Sequence, residues 1–326
     1  MMNKQTLPIT LRDIYRARQA IAPFVRRTPL LYSSVLSAHT GAKVYLKLEN
    51  QQETGAFKLR GAANRLTALT PAERQRGVIT VSTGNHGRAV AYMAQRLGIR
   101  AVICVPELVL PHKVAAMRSL GAEVIIHGRT QDDAELHAMT LQTAQGLTMV
   151  SAFDDLHIIA GQGTIGLEIL EELPQVDTVV VPLSGGGLMG GIAAALKHAD
   201  PAIRLVGVSQ ELGPAMALSL QAGAPVPVVE EPSLADSLLG GIGLENRYTF
   251  PLIRDLIDEV ILVSEAEIAA AMVHALHQEK QVVEGGGSVG IAALLANKVM
   301  PTEEHVAVVV SGGNVDMSKL LLLLKH

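Results

Sequence analysis

The sequence predicts an α/β protein built from two doubly wound parallel-sheet domains, and three observations predict it. Short apolar, β-branched runs alternate with longer helical patterns along the chain. Those runs are hydrophobic almost throughout, as strands covered on both faces are, and do not alternate like half-exposed ones. With 326 residues the chain is long enough for two domains, and the runs are too many for one small sheet.

In order, residues 77–82 read as a strand and 87–97 as the helix after it. Ala101–Val105 is the next strand, ended by Pro106, before a helix at 113–120 and a strand at Glu123–Ile126. Residues 178–181, 204–208, Glu259–Val263 and His305–Val310 continue the pattern. No repeat of solenoid length and no low-complexity linker interrupts it.

Composition removes several function classes. Hydrophobic residues are 48% and charged ones 18%, which excludes disorder. The net charge of −4 is spread without a basic stripe, so neither nucleic acid nor an anionic membrane is an expected partner. Aromatic residues at 3%, with no Trp, argue against base stacking. Cys104 is the single cysteine, which excludes a disulfide framework and an all-cysteine metal cage. The longest uncharged stretch, 179–196, is broken by glycines and Pro182 and reads as strand, loop and helix, not a membrane span. The opening residues 1–6 lack an apolar signal core, and the chain reaches His326 soon after its last strand. A cytoplasmic protein without an appended regulatory domain is expected.

In open parallel sheets, ligands lie beyond the carboxyl ends of strands. Three clusters fall there: Ser82-Thr83-Gly84-Asn85-His86-Gly87, Ser184-Gly185-Gly186-Gly187-Leu188 and Ser311-Gly312-Gly313-Asn314. Glycine-rich turns free backbone N–H groups to face an anion, and a following helix N-terminus adds a favourable field. Any one of them also fits simple tight packing. A fourth element adds chemistry. Thr54-Gly55-Ala56-Phe57-Lys58-Leu59-Arg60-Gly61-Ala62 sets Lys58 among small and apolar residues early in a helical pattern. A lysine so placed loses proton affinity and becomes a usable amine nucleophile.

With these motifs together, the chain resembles the fold-type II pyridoxal-phosphate enzymes, in the threonine/serine dehydratase and serine racemase group, from Leu11 to Met317. The Gly-x-Phe-Lys-x-Arg-Gly element, the Gly-Asn-His-Gly loop, the triple glycine and Ser-Gly-Gly-Asn carry the resemblance. Ser82-Thr83-Gly84-Asn85-His86-Gly87-Arg88, Ala235-Asp236-Ser237 and Gly243-Leu244-Glu245-Asn246-Arg247-Tyr248 are similar to the dehydratases of hydroxyectoine breakdown. The fold implied is tryptophan synthase β-like, with a large cofactor-binding domain at 1–68 and 155–326 and a small domain at 69–154. A homodimer or homotetramer is implied as well.

The resemblance also implies roles. Lys58 would hold the aldehyde of pyridoxal 5′-phosphate and then act as acid and base at the substrate α-carbon, with Phe57 supporting its position. Asn85 would hydrogen-bond the cofactor's 3-hydroxyl. Ser184, Gly185, Gly186, Gly187 and Leu188 would bind the 5′-phosphate, which in the family helps protonate the departing hydroxyl. Ser311 would face the pyridine nitrogen; a hydroxyl there suits β-elimination. Ser82, Thr83, Gly84, Asn85 and His86 would hold the substrate carboxylate, while His86 also fits a purely structural place. Glu284 matches a position near the cofactor, where it would tune the ring or cap the following helix.

Departures from the family pattern matter equally. Thr83 stands where racemase-like members carry the serine opposite the lysine; its methyl restricts χ1 and crowds the site, which favours elimination over racemisation. Ser209 and Ala215 replace two acidic ligands of the divalent-cation site of many relatives, with Glu211 off register, so no metal is expected. His112, His127, His137 and His157 are far apart in sequence and make no ligand motif. Neither a nucleophile elbow nor a dinucleotide fingerprint is present.

The expected activity is therefore a pyridoxal-phosphate-dependent ammonia-lyase. It would eliminate water from a small β-hydroxy amino acid (serine, threonine, 3-hydroxyaspartate or a hydroxylated diamino acid) to give a 2-oxo acid and ammonia. The alternatives are an amino-acid racemase using Lys58 and Thr83, and a binding protein without catalysis.

Overall fold

The computed structural model describes residues 8–299 and 304–324; the opening 1–6 lie outside them. Ten strands form two sheets. They are β1 (Leu30–Tyr32), β2 (Lys43–Leu48), β3 (Val78–Val81), β4 (Ala101–Val105), β5 (Glu123–Ile126), β6 (Thr148–Met149), β7 (Thr178–Pro182), β8 (Arg204–Gln210), β9 (Glu259–Val263) and β10 (His305–Val310). The larger sheet runs β1-β2-β10-β7-β8-β9 and the smaller β5-β4-β3-β6. Apolar side chains fill β4, β7 and β10, whose residues are buried apart from partly buried His305, as expected for strands covered on both faces.

Strand order explains where a ligand belongs. In the larger sheet the chain runs outward through β7, β8 and β9 and then returns to place β10 between β2 and β7. In the smaller it runs outward through β3, β4 and β5 and returns to the other side of β3 as β6. Each reversal opens a crevice at the strands' carboxyl ends. The loops after β7 and β10 are neighbours because Ala307 pairs with Val179, and those after β3 and β6 because Ile79 pairs with Met149.

Three sequence expectations are corrected. The larger sheet is not wholly parallel, because β1 pairs antiparallel with β2 at its edge. Neither strand stands out as an apolar run in the sequence, nor does the two-residue β6. The helix expected at 87–97 is Asn85–Leu97, so Asn85 and His86 stand on its first turn and not in the loop. β8 extends to Gln210, which puts Ser209 inside a strand. Among the described residues no helix is long and apolar enough to cross a membrane.

Candidate active site

The chain leaves β2 through a short 3-10 turn, Glu49–Gln51, and bends at Gly55 with φ +76°, a left-handed conformation that favours glycine. Ala56 then bridges to Gly312, and the Phe57 N–H donates to the Ser311 carbonyl at 3.0 Å. This stitch ties the lysine segment to the loop after β10. Lys58 is the first residue of the helix Lys58–Thr67. Its ammonium donates to the Ala152 carbonyl at 2.8 Å and lies 5.2 Å from the centre of the Phe57 ring. Burial pushes Lys58 down to about 8, against the opposing pull of the Glu284 charge. A cation at a helix N-terminus is also disfavoured by the helix dipole.

Two residues further on, Arg60 is buried and forked onto two carboxylates. It donates to both oxygens of Glu49 at 2.8 Å, and to those of Glu168 at 2.6 and 2.8 Å. Buried Lys47 joins the same cluster through Glu168 at 2.7 Å. The lysine helix is thus anchored to β2 and to the helix Leu156–Glu172.

After β7 the chain turns through Ser184 and Gly185 to Gly186, which caps the helix Gly187–Ala199 with φ +88°. No side chain caps that helix, so the amides of its first turn stay available to an anion. A Cβ at Gly185 would lie 2.4 Å from the Phe153 ring, and one at Gly186 2.9 Å from Met216 Cε. Leu188 and the three glycines are buried, whereas Ser184 is partly exposed.

The loop after β3 brings Ser82, Thr83 and Gly84 to the same end of the molecule, all partly exposed, with the Gly84 N–H donating to Ser82 Oγ at 3.2 Å. Asn85 Nδ2 donates to Glu284 Oε1 at 2.6 Å, and Asn85 Oδ1 accepts from Asn314 Nδ2 at 2.7 Å. Glu284 therefore does not cap the helix Gly285–Leu295, although it precedes it; its side chain turns to Asn85 and to the Asn314 N–H at 3.1 Å. Burial, helped by the Asp236 charge, pushes Glu284 up to about 7, while hydrogen bonds from Asn85 and Ser237 oppose the shift. His86 is buried, with Nε2 3.1 Å from the Val150 carbonyl, and desolvation together with the Lys58 charge pushes it down to about 3. A neutral His86 therefore donates to that carbonyl, which leaves Nδ1 buried without a partner. Ser311 is buried beside Gly312.

Sequence reasoning missed the strap of Ala152, Phe153 and Asp154. Asp154 accepts from the N–H groups of Arg247, Tyr248 and Thr249 at 2.8, 2.8 and 2.9 Å, and so caps the helix Thr249–Leu256 from a distant part of the chain. No local signal marks such a cap. Ser209 Oγ donates to Gln210 at 3.2 Å, Ala215 is buried, and off-register Glu211 pairs with Lys298 at 3.4 Å. Among the described residues no group of three His, Cys, Asp or Glu is placed to hold a metal. His127 and His137, ten residues apart in sequence, stack with ring centres 3.9 Å apart.

A desolvated lysine amine, an uncapped glycine turn and a buried serine hydroxyl, on the segments after neighbouring strands β2, β7 and β10, are groups that a cofactor bearing an aldehyde and a phosphate would use. The residues present suit such a group, since about half of the Lys58 amine is uncharged at pH 8 and the uncapped amides of the glycine turn could hold an anion without a cationic side chain. The model of the pyridoxal-phosphate dependent enzyme family matches residues 21–312. The chain is 52% identical to a Sinorhizobium fredii protein provisionally named a threonine dehydratase, covering 95% of this chain and 93% of that one. It is 45% identical to the L-threonine ammonia-lyase of Thermotoga maritima, over 96% of this chain and 77% of that one. The structure of maize serine racemase superimposes with a TM-score of 0.90 at 35% identity, over 97% of both chains. The chain belongs to the pyridoxal-phosphate dependent enzymes, among their threonine dehydratase-like lyases, and its cofactor is pyridoxal 5′-phosphate.

Proposed function

We propose that the protein is an ammonia-lyase that converts a small β-hydroxy amino acid into a 2-oxo acid and ammonia, with Lys58 as its catalytic amine. The observation that carries this is the Lys58 side chain, held at the head of its helix with its amine pushed down to about 8. When bound, the cofactor supplies an aldehyde for the amine and an electron-withdrawing ring. Ser184, Gly185, Gly186, Gly187 and Leu188 would hold its phosphate, Asn85 its 3-hydroxyl and Ser311 its ring nitrogen. Phe57 and Glu284 line the same place. Ser82, Thr83, Gly84, Asn85 and His86 would hold the substrate carboxylate, His86 through its backbone, since its ring is committed to Val150. That grip aims the α-C–H at Lys58 Nζ, which takes the proton. The β-hydroxyl leaves as water, and the enamine released hydrolyses to the 2-oxo acid and ammonia.

Serine, threonine, 3-hydroxyaspartate and the hydroxylated diamino acid of hydroxyectoine breakdown are the candidate substrates. Division into domains at 1–68 with 155–326 and at 69–154, a homodimeric or homotetrameric state and a cytoplasmic location belong to the same proposal. Purified protein is mixed with each amino acid while absorbance and 2-oxo acid are followed, with Lys58→Ala as control. The expected result is 2-oxo acid from one hydroxyamino acid and none from the control. Inverted amino acid without 2-oxo acid favours a racemase using Lys58 and Thr83, the reading that the likeness to maize serine racemase supports.

A further inference from the structure

We propose that Asn314, held in register by Arg88, is a positioning residue that fixes which way the Asn85 amide faces and thereby presents its N–H to the cofactor. This rests on the placement of Asn85 at the cofactor's 3-hydroxyl.

A carboxamide can turn over with almost no change of shape, so its partners alone decide which end donates. Here the decision is made from two sides. Arg88 can only donate, and its Nη1 lies 2.7 Å from Asn314 Oδ1, so that atom must be the oxygen. On the opposite side the Thr54 carbonyl can only accept, and Asn314 Nδ2 donates to it at 2.8 Å. The remaining Nδ2 hydrogen of Asn314 goes to Asn85 at 2.7 Å, so the Asn85 atom facing it must be Oδ1. Asn85 Nδ2 is thus turned to the other side, where one hydrogen meets Glu284 Oε1 at 2.6 Å and one is left for a ligand. With Asn85 reversed, donor would face donor at Asn314.

The surroundings preserve this direction. A Cβ at Gly55 would lie 2.5 Å from Asn314 Oδ1, so only glycine leaves the amide its place. The Asn314 N–H also donates to Glu284 Oε2 at 3.1 Å, which ties the backbone of the relay to its far end. Arg88 and Asn85 share one helix turn, so the residue that sets the direction moves with the one it orients.

The test is the pH midpoint of the holoenzyme's visible absorbance band without substrate, which reports proton affinity where the cofactor joins the lysine. Losing a hydrogen bond to a charged oxygen is expected to raise that midpoint by about one pH unit, a tenfold change in proton affinity. Asn85→Ala and Asn314→Leu, which adds no charge, should each raise it so. The double variant should move no further than Asn85→Ala, because Asn314 acts through Asn85. Arg88→Met, which keeps the stem but not the donor, should shift it the same way by less. An unmoved midpoint in Asn314→Leu, or a shift that persists in full on the Asn85→Ala background, overturns the relay. An unmoved midpoint in Arg88→Met removes Arg88 from it. If Asn85→Ala itself leaves the midpoint in place while the band remains, the placement of Asn85 at the cofactor falls instead.

Discussion

Arg60 and Glu168 meet as two parallel forks, Nη1 to Oε1 at 2.6 Å and Nη2 to Oε2 at 2.8 Å, inside the protein and two residues beyond Lys58. Two carboxylates, Glu49 and Glu168, depend on that guanidinium, and their pull raises the arginine's own affinity for its proton against the cost of burial. Arg60→Met would leave both buried with Lys47 as the remaining cation. Stability should fall by about 3–5 kcal/mol in urea unfolding, as when one partner is removed from a buried pair. A loss under about 1 kcal/mol would show that the cluster relaxes without cost.

Loading of the cofactor should follow the charge of Lys58. Only the neutral amine attacks an aldehyde, and burial brings Lys58 down to about 8. The association rate of the apoprotein with pyridoxal 5′-phosphate should rise with pH and level off above about 8. Stopped-flow absorbance between pH 6 and roughly 10.5, an ordinary lysine's range, distinguishes this from a rate that keeps climbing.

Gly186→Ala should weaken cofactor binding at least tenfold. Its backbone has φ +88°, and the added methyl would lie 2.9 Å from Met216 Cε and 3.0 Å from Thr249 Cβ. A left-handed non-glycine residue alone costs about 1–2 kcal/mol. Gly190→Ala is the control. It lies within the same helix, its methyl would meet nothing nearer than 3.6 Å, and removing a helical glycine should stabilise by roughly 0.5–1 kcal/mol. Absorbance titration with the cofactor checks both.

Glu284 should give the apoprotein a stability that declines toward alkaline pH. Its folded value, about 7, lies above the unfolded value of 4.5, so the folded state holds the proton more tightly. The contribution is complete below 4.5 and is lost as pH rises through about 7. The full swing is on the order of 3 kcal/mol. Thermal melts from pH 4.5 to 8 should show wild type losing ground against Glu284→Gln; parallel curves would contradict the burial assigned to this carboxyl.

Much of this site was legible in the chain because its parts are local. The valine-rich strands β3, β7 and β10 announce themselves by composition, and each is followed at once by its glycine cluster. The desolvated setting of Lys58 was legible through its small and apolar neighbours. Illegible were relationships across the chain. Asp154 caps a helix that begins 95 residues later, and Asn314 reaches back 229 residues to Asn85. β1 and β2 are hidden in the sequence because Tyr32, Lys43 and Lys47 break the apolar pattern, and buried Lys47 is met by Glu168, Glu172 and the Thr28 carbonyl. The side chain of Glu284 occupies a capping position yet faces Asn85, a choice that depends on a residue 199 positions away.

The central claim is that one amine, Lys58 Nζ, holds the cofactor. Borohydride reduction of the yellow holoprotein, followed by peptide mass mapping, tests it directly. The reduced cofactor is expected on the peptide containing Lys58 and nowhere in Lys58→Ala. Label on another lysine, or a peptide map with no added mass, would contradict it.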